Sequence, residues 1–156
     1  MTITYLGHAC FLFEDSKRTR VIVDPYEPGA FDNAINYAPI NEIADVVLVT
    51  HEHADHNYVR GVLGNPVICR NNCIPTGAAF RSVTVLHDEE NGTRRGTVNA
   101  FVFSMDDITL CHLGDVGAPL SPDQVASIGT IDVLMVPVGG TFTVDAAGAW
   151  SLVNQL

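Results

Sequence analysis

The sequence predicts an α/β fold with mixed strand pairing, and three observations carry that expectation. Short, β-branched apolar runs recur along the chain and are broken by Gly, Pro, Asn and Asp. Two pairs of runs, around Gly7-His8 and around Asp106-Asp107, are separated by so few residues that they must form antiparallel hairpins. Residues 45 to 51 and the stretch IDVLMVPVGG lack the alternation of a half-wet strand. They read as strands buried on both faces, which requires helices laid over a sheet.

Taken in order, ITYLGH and ACFLFED form a strand, a tight turn and a second strand, and RTRVIVDPY adds a third that stops at Asp24-Pro25. Residues 26 to 44 contain Pro28, Gly29 and Pro39 and read as a loop with a short helix near Asn41 to Ala44. After the buried strand of residues 45 to 51, NYVRGVL reads as a short helix, and PVICR and SVTVLH follow as strands, the second ending at His87. DEENGTRRG is a loop, and the strand pair across Asp106-Asp107 ends in CHLGD. A helix starts at Ser121-Pro122, with a serine cap and proline at the first helical position. IDVLMVPVGG is then a strand and DAAGAWSLVNQL, from Asp145, a helix. Helices are thus expected near 57 to 64, 121 to 128 and 145 to 155.

A chain of 156 residues, 47% hydrophobic, is the size of one domain, 1–156, with material for a core. There is no run of about 18 apolar residues, so no membrane span is expected. The first residues, MTITYLGHACFLFE, lack a basic region and a cleavage site, which points to a cytoplasmic protein. Eighteen acidic against eight basic residues give a net charge of −10, which repels phosphate backbones and argues against nucleic acid as a partner. Bound divalent cations would offset part of that excess; otherwise it is a solubilising surface. Cys10 and Cys111 sit in apolar runs as small buried groups, and Cys69 and Cys73 lack zinc-ribbon spacing, so four reduced thiols are expected.

All six histidines fall at strand ends or turns. THEHADHNYV, residues 50 to 59, holds His51, His53, Asp55 and His56; His8 follows Gly7 in a turn, His87 ends a strand, and His112 lies three residues before Asp115. Side chains two apart in an extended segment point the same way, so His51 and His53 can grip one ion. The chain then turns, and Asp55 and His56 face a neighbouring point. Imidazole and carboxylate together suit zinc, and also manganese or iron. Two ions about 3.5–4 Å apart can hold a hydroxide between them as a nucleophile.

THEHADHNYV resembles the H-x-H-x-D-H signature of the metallo-β-lactamase superfamily. TYLGHACFLFE and VIVDPY are similar to the opening strands of its branch of small metal-dependent hydrolases and ascorbate-phosphate-lactonase-like proteins, and CHLGDVG and VPVGGTFTVDAAGAW follow in the expected order. The resemblance covers essentially the whole chain. It implies an αββα sandwich of two mixed sheets with outer helices, here with a shortened C-terminal half. It also implies one or two divalent ions, zinc first. His51, His53 and His87 would hold one ion and Asp55 and His56 the other, with Asp115 bridging. Asp24 would orient a ligand histidine, its other reading being a strand cap before Pro25. His8 would line the site, beside Asp55 as a catalytic candidate. His87 fits the family order for the third ligand better than His112, which falls behind it as pocket wall.

The family's last strand, with a further histidine, has no counterpart after His112. Either the chain is truncated or processed, or the second ion is held more loosely, and uncovered apolar surface implies a homo-oligomer or low stability. The function implied is a hydrolase in which metal-held hydroxide attacks an ester, lactone, amide or phosphodiester bond of a small substrate. The alternative is a metal-binding protein of the same fold with weak or no catalysis. A di-iron redox protein is a third class, but its carboxylate-rich second site and flavin domain have no counterpart here. Arg94 and Arg95 would meet an anionic substrate group, or are simply solvated.

Overall fold

The structure, a computed structural model, describes residues 1–75 and 78–156, and these form two compact units, Met1–Arg70 and Asn71–Leu156. The first unit holds a five-stranded mixed sheet. In it β1 (Thr2–Gly7), β2 (Cys10–Glu14) and β3 (Arg20–Val23) run antiparallel, and β4 (Val46–Leu48) and β5 (Val67–Cys69) then add in parallel to β3. The unbroken apolar run of β4 is explained by its central place: Val46, Val47, Leu48 and Val49 are all buried. Val47 and Val49 join Ile22, Tyr26 and Val62 in the unit's core. The Tyr26 hydroxyl keeps hydrogen bonds there to the carbonyls of Leu6 and Ala38, at 2.9 and 2.7 Å.

The helix expected near Asn41 to Ala44 is absent, because those residues pair instead. Ile43 bridges in parallel to Leu63, and the Ala44 amide donates to the Leu63 carbonyl. The loop carries α1 (Ala30–Asn33), a single turn in which Phe31 and Asp32 adopt left-handed φ of 54°. The helix expected over 57 to 64 shrinks to one 3₁₀ turn, η1 (Val59–Gly61). Gly61 lies against the Tyr58 ring, so closely that a Cβ would sit 2.4 Å from it.

The second unit holds a mixed sheet in the order β6 (Phe80–Leu86), β7 (Thr97–Met105), β8 (Ile108–His112), β9 (Val133–Met135), with only β8 and β9 parallel. The β7–β8 turn is the expected two-residue one, with φ of 50° at Asp106 and 63° at Asp107. The reading of IDVLMVPVGG as doubly buried is corrected: β9 is an edge strand, and Val133 and Leu134 are only half-buried. α2 (Pro122–Ile128) begins with a capping box between Ser121 and Gln124. Arg81 on β6 donates to the carbonyls of Ser127 and Ile128 at its far end. α3 (Ala146–Gln155) is capped by Asp145 and buries Ala149 and Leu152 in a core with Val102, Leu113 and Ile128.

Cys10 and Cys111 are the buried thiols expected, and burial raises both above the usual thiol range, Cys111 to about 12. Cys69 and Cys73 are disulfide-bonded, which corrects the expectation of four reduced cysteines. No helix among the described residues is long and apolar enough to cross a membrane.

Ser121→Ala removes one half of the capping box. It is expected to cost about 1 kcal/mol, read as a lower urea midpoint with an unchanged slope.

Candidate metal centre

Because β3, β4 and β5 are parallel, their C-terminal ends share one edge of the first unit. The residues just past those ends form the candidate site: Asp24 after β3, Thr50 to His56 after β4, and Arg70 after β5. This is where α/β sheets usually place ligands.

Asp24 is fully buried and adopts a left-handed φ of 49°, with its amide donating to the Leu48 carbonyl. Its Oδ1 accepts the Thr50 amide at 2.8 Å, and its Oδ2 accepts the Thr50 hydroxyl at 2.8 Å. The same Oδ2 lies 2.9 Å from His56 Nδ1. A carboxylate can only accept, so His56 must carry its proton on Nδ1, which leaves the Nε2 lone pair for a cation. The Thr50 hydroxyl has spent its proton on Asp24, so at 3.0 Å it accepts from His51 Nδ1. His51 therefore also presents an unprotonated Nε2, and this atom lies 2.9 Å from His53 Nδ1. One buried carboxylate thus sets the tautomer of His56 directly and that of His51 through Thr50.

His8 comes from the β1–β2 turn, with φ of 52°. Its Nε2 lies 3.1 Å from Asp55 Oδ2 and 3.3 Å from His56 Nε2, and the latter two atoms are 3.7 Å apart. Burial works against ionisation of Asp55, but the hydrogen bond from His8 and the imidazoles of His56 and His8 around it outweigh it. The carboxyl is held below its ordinary range. Its Oδ1 is buried with no hydrogen-bond partner among the described residues. These side chains fit a divalent ion. Metal–ligand bonds of about 2.0–2.1 Å in a tetrahedron set the ligand atoms about 3.3 Å apart, close to the separations observed.

The loop is braced from both sides. Glu27 donates its amide to the Ala54 carbonyl, and Tyr58 donates to Pro25. Arg70 donates to Glu52 at 2.7 Å and to Asn57 at 2.8 Å, and Asn57 donates in turn to Glu52. Thr50 and Arg70 escaped the sequence reading. Thr50 had a signal, its place directly before His51 on a buried strand; Arg70 had none.

In the second unit, His87 follows β6 and is buried, with Nε2 3.9 Å from Asp115 Oδ2. Gly117 crosses the His87 backbone so closely that a Cβ would sit 2.5 Å from the His87 carbonyl, and its amide donates to Leu86 at 2.8 Å. The glycine therefore fixes the Asp115 turn against the end of β6. His112 Nδ1 accepts the Gly114 amide at 3.0 Å and shapes the same turn from its other side.

A cleft of about 390 Å³ opens beside His87, lined by Arg94, Arg95, Phe142, Asp145 and Ser151 among others. Asp88, also missed from sequence, organises its rim. Its carboxylate accepts the amides of Glu90, Gly92, Arg94 and Arg95 at 2.8–3.1 Å. Burial opposes its ionisation, and the four amides, Arg95 first, more than offset that and hold its carboxyl below the ordinary range. The Arg95 guanidinium lies 4.0 Å over the Phe142 ring.

A family model described as a β-lactamase superfamily domain matches residues 2–156. A UPF0173 metal-dependent hydrolase of Methanospirillum hungatei is 33% identical, over 92% of this chain and 72% of its own length. A protein of the same name from Archaeoglobus fulgidus is 29% identical, over 96% of this chain and 76% of its own. Among solved structures, a Thermotoga maritima protein of the metallo-β-lactamase superfamily is 35% identical with a TM-score of 0.78, covering 99% of this chain and 70% of that one.

Asp24→Asn preserves shape but turns one of the two acceptor oxygens behind both tautomers into a donor. It is expected to weaken metal binding about 10–100-fold in a competition titration, whereas Thr50→Val, which leaves the Asp24–His56 contact, weakens it less. Equal losses would show that the direct Asp24–His56 contact contributes nothing beyond the relay through Thr50. Gly117→Ala must push the Asp115 turn off the His87 backbone; retained metal affinity and an unshifted unfolding midpoint would contradict that packing.

Proposed function

The chain belongs to the β-lactamase superfamily and, within it, to the metal-dependent hydrolases, and from that premise we propose that it cleaves an ester, lactone, amide or phosphodiester bond of a small anionic substrate. One or two divalent ions serve it, zinc first and manganese or iron in its place. In this reading His51, His53 and His87 hold one ion, Asp55 and His56 a second, and Asp115 serves both. The observation that carries it is the convergence of imidazole and carboxylate atoms beside a buried aspartate that fixes two histidine tautomers.

Bound there, a divalent ion brings the ionisation of water near neutral pH and polarises the bond under attack. The chain's own residues do the rest. Asp24 and Thr50 keep the His56 and His51 rings turned toward the reacting point. Asp55 stays ionised at neutral pH and can accept a hydrogen bond from the attacking water, with His8 beside it. His112, through the Gly114 amide, holds the Asp115 turn in shape. Arg94 and Arg95, set on a loop gripped by Asp88, offer positive charge to an anionic substrate group.

Turnover of phosphodiester, lactone or ester substrates is expected to vanish on complete chelation and to return with zinc, manganese or iron; turnover that survives metal removal overturns the reading. His87→Ala is expected to weaken metal binding well beyond the about 10–100-fold typical of a lost supporting partner, and His112→Ala to stay within it. Equal losses, or the reverse order, would exchange the two roles. Metal affinity should fall with acidification, because protons compete for every imidazole ligand. Asp55, its carboxyl held low, remains ionised through that range.

A further inference from the structure

We infer that His8 is itself a metal ligand, so that the turn between β1 and β2 completes a three-ligand site from His8 Nε2, Asp55 Oδ2 and His56 Nε2 wholly within Met1–Arg70. The inference rests on the proposed metal-dependent reading and sharpens it. His8 ceases to be a wall of the pocket, and the ion beside Asp55 gains a second imidazole.

Three observations carry it. The three ligand atoms lie 3.1, 3.3 and 3.7 Å apart, the spread expected around one ion with bonds of about 2.0–2.1 Å. Next, the Asp24 carboxylate holds the proton of His56 on Nδ1, so the atom that meets His8 is a lone pair. Two imidazole nitrogens 3.3 Å apart need something positive between them, either a proton on His8 or a shared cation. The proton satisfies one pair, whereas the cation satisfies all three atoms at once. Finally, His8 sits at a left-handed φ of 52°, a conformation few non-glycine residues adopt, histidine being with asparagine and aspartate among those that adopt it more readily. Its neighbours enforce this. Gly7, at φ 126°, lies so close to the Tyr37 ring that a Cβ would be 2.7 Å away, and the Tyr5 hydroxyl donates to the His8 carbonyl at 3.0 Å. A turn held in that conformation, with an imidazole aimed at Asp55, is a backbone outlier of the kind that clusters at functional sites.

An ion there joins the N-terminal hairpin to the loop after β4, two segments 47 residues apart in sequence. Binding should therefore protect the β1–β2 amides from exchange as well as the loop amides.

The test is a zinc titration of the metal-free 156-residue chain, followed by the nitrogen-15 resonances of its histidine rings, with amide exchange before and after. The expected result is that His8 Nε2 moves to the metal-bound position at the same zinc equivalents as His56 Nε2, and that exchange from the hairpin slows. His8→Asn is the matching variant, since asparagine accepts the left-handed turn while offering no imidazole. It should fold and weaken that site at least 10-fold, leaving His51 and His53 with their zinc-induced shifts. If His51, His53 and His56 shift with zinc while His8 does not, His8 is only a proton donor to Asp55 and the inference is overturned with the functional reading intact. If no histidine responds to zinc, manganese or ferrous iron, both fall together.

Discussion

The buried carboxylate of Asp24 is the constraint from which the first unit's chemistry follows. A carboxylate with no access to water is costly unless its oxygens are used. Asp24 uses them on the Thr50 amide, the Thr50 hydroxyl and His56 Nδ1. Those bonds are available because β3 and β4 run in parallel, so that the residue ending one strand faces the residue following the other. The sheet thereby delivers two unprotonated Nε2 atoms to one edge before any ion is present. The arrangement acts by selecting tautomers as well as by placing atoms. A histidine in the right place with its proton on the wrong nitrogen binds no metal.

The second unit solves a similar problem by packing. The Asp115 turn is pressed onto the end of β6 by Gly117 and shaped by the His112 ring. A missing Cβ does here what a hydrogen-bond network does in the first unit. Both turns follow the ends of strands in mixed sheets, so the functional side chains stand on short, braced segments rather than on long loops.

Much of this was legible in the sequence, and the failures have physical causes. The hairpins, the buried β4 strand and the helices beginning at Ser121 and Asp145 announce themselves through turn chemistry, apolar runs and caps. The 3₁₀ turn at Val59–Gly61 and the bridge at Ile43 depend on contacts with Tyr58 and Leu63, and no local propensity encodes such contacts. The apolar run of β9 read as buried because sequence records composition and does not record which strand lies at an edge. Among the candidate ligands, the histidines and Asp55 stand out by residue type and spacing. Thr50, Arg70 and Asp88 act through single hydrogen bonds to residues that fold beside them, and a threonine or arginine has too many ordinary uses to stand out. His8 stands out as a histidine in a strand turn, but its distance from Asp55 is a tertiary fact.

The loop gripped by Asp88 has a further consequence. Four amides from one short segment converge on one carboxylate, so the backbone beneath Arg94 and Arg95 has little freedom left to lose. The Phe142 ring under the Arg95 guanidinium further limits where that side chain can go. A molecule entering the cleft therefore meets a rim already ordered by folding, and the entropy that a floppy arginine loop would surrender on binding has been surrendered beforehand. For a ligand bound there, such a rim would favour matching shape over negative charge alone.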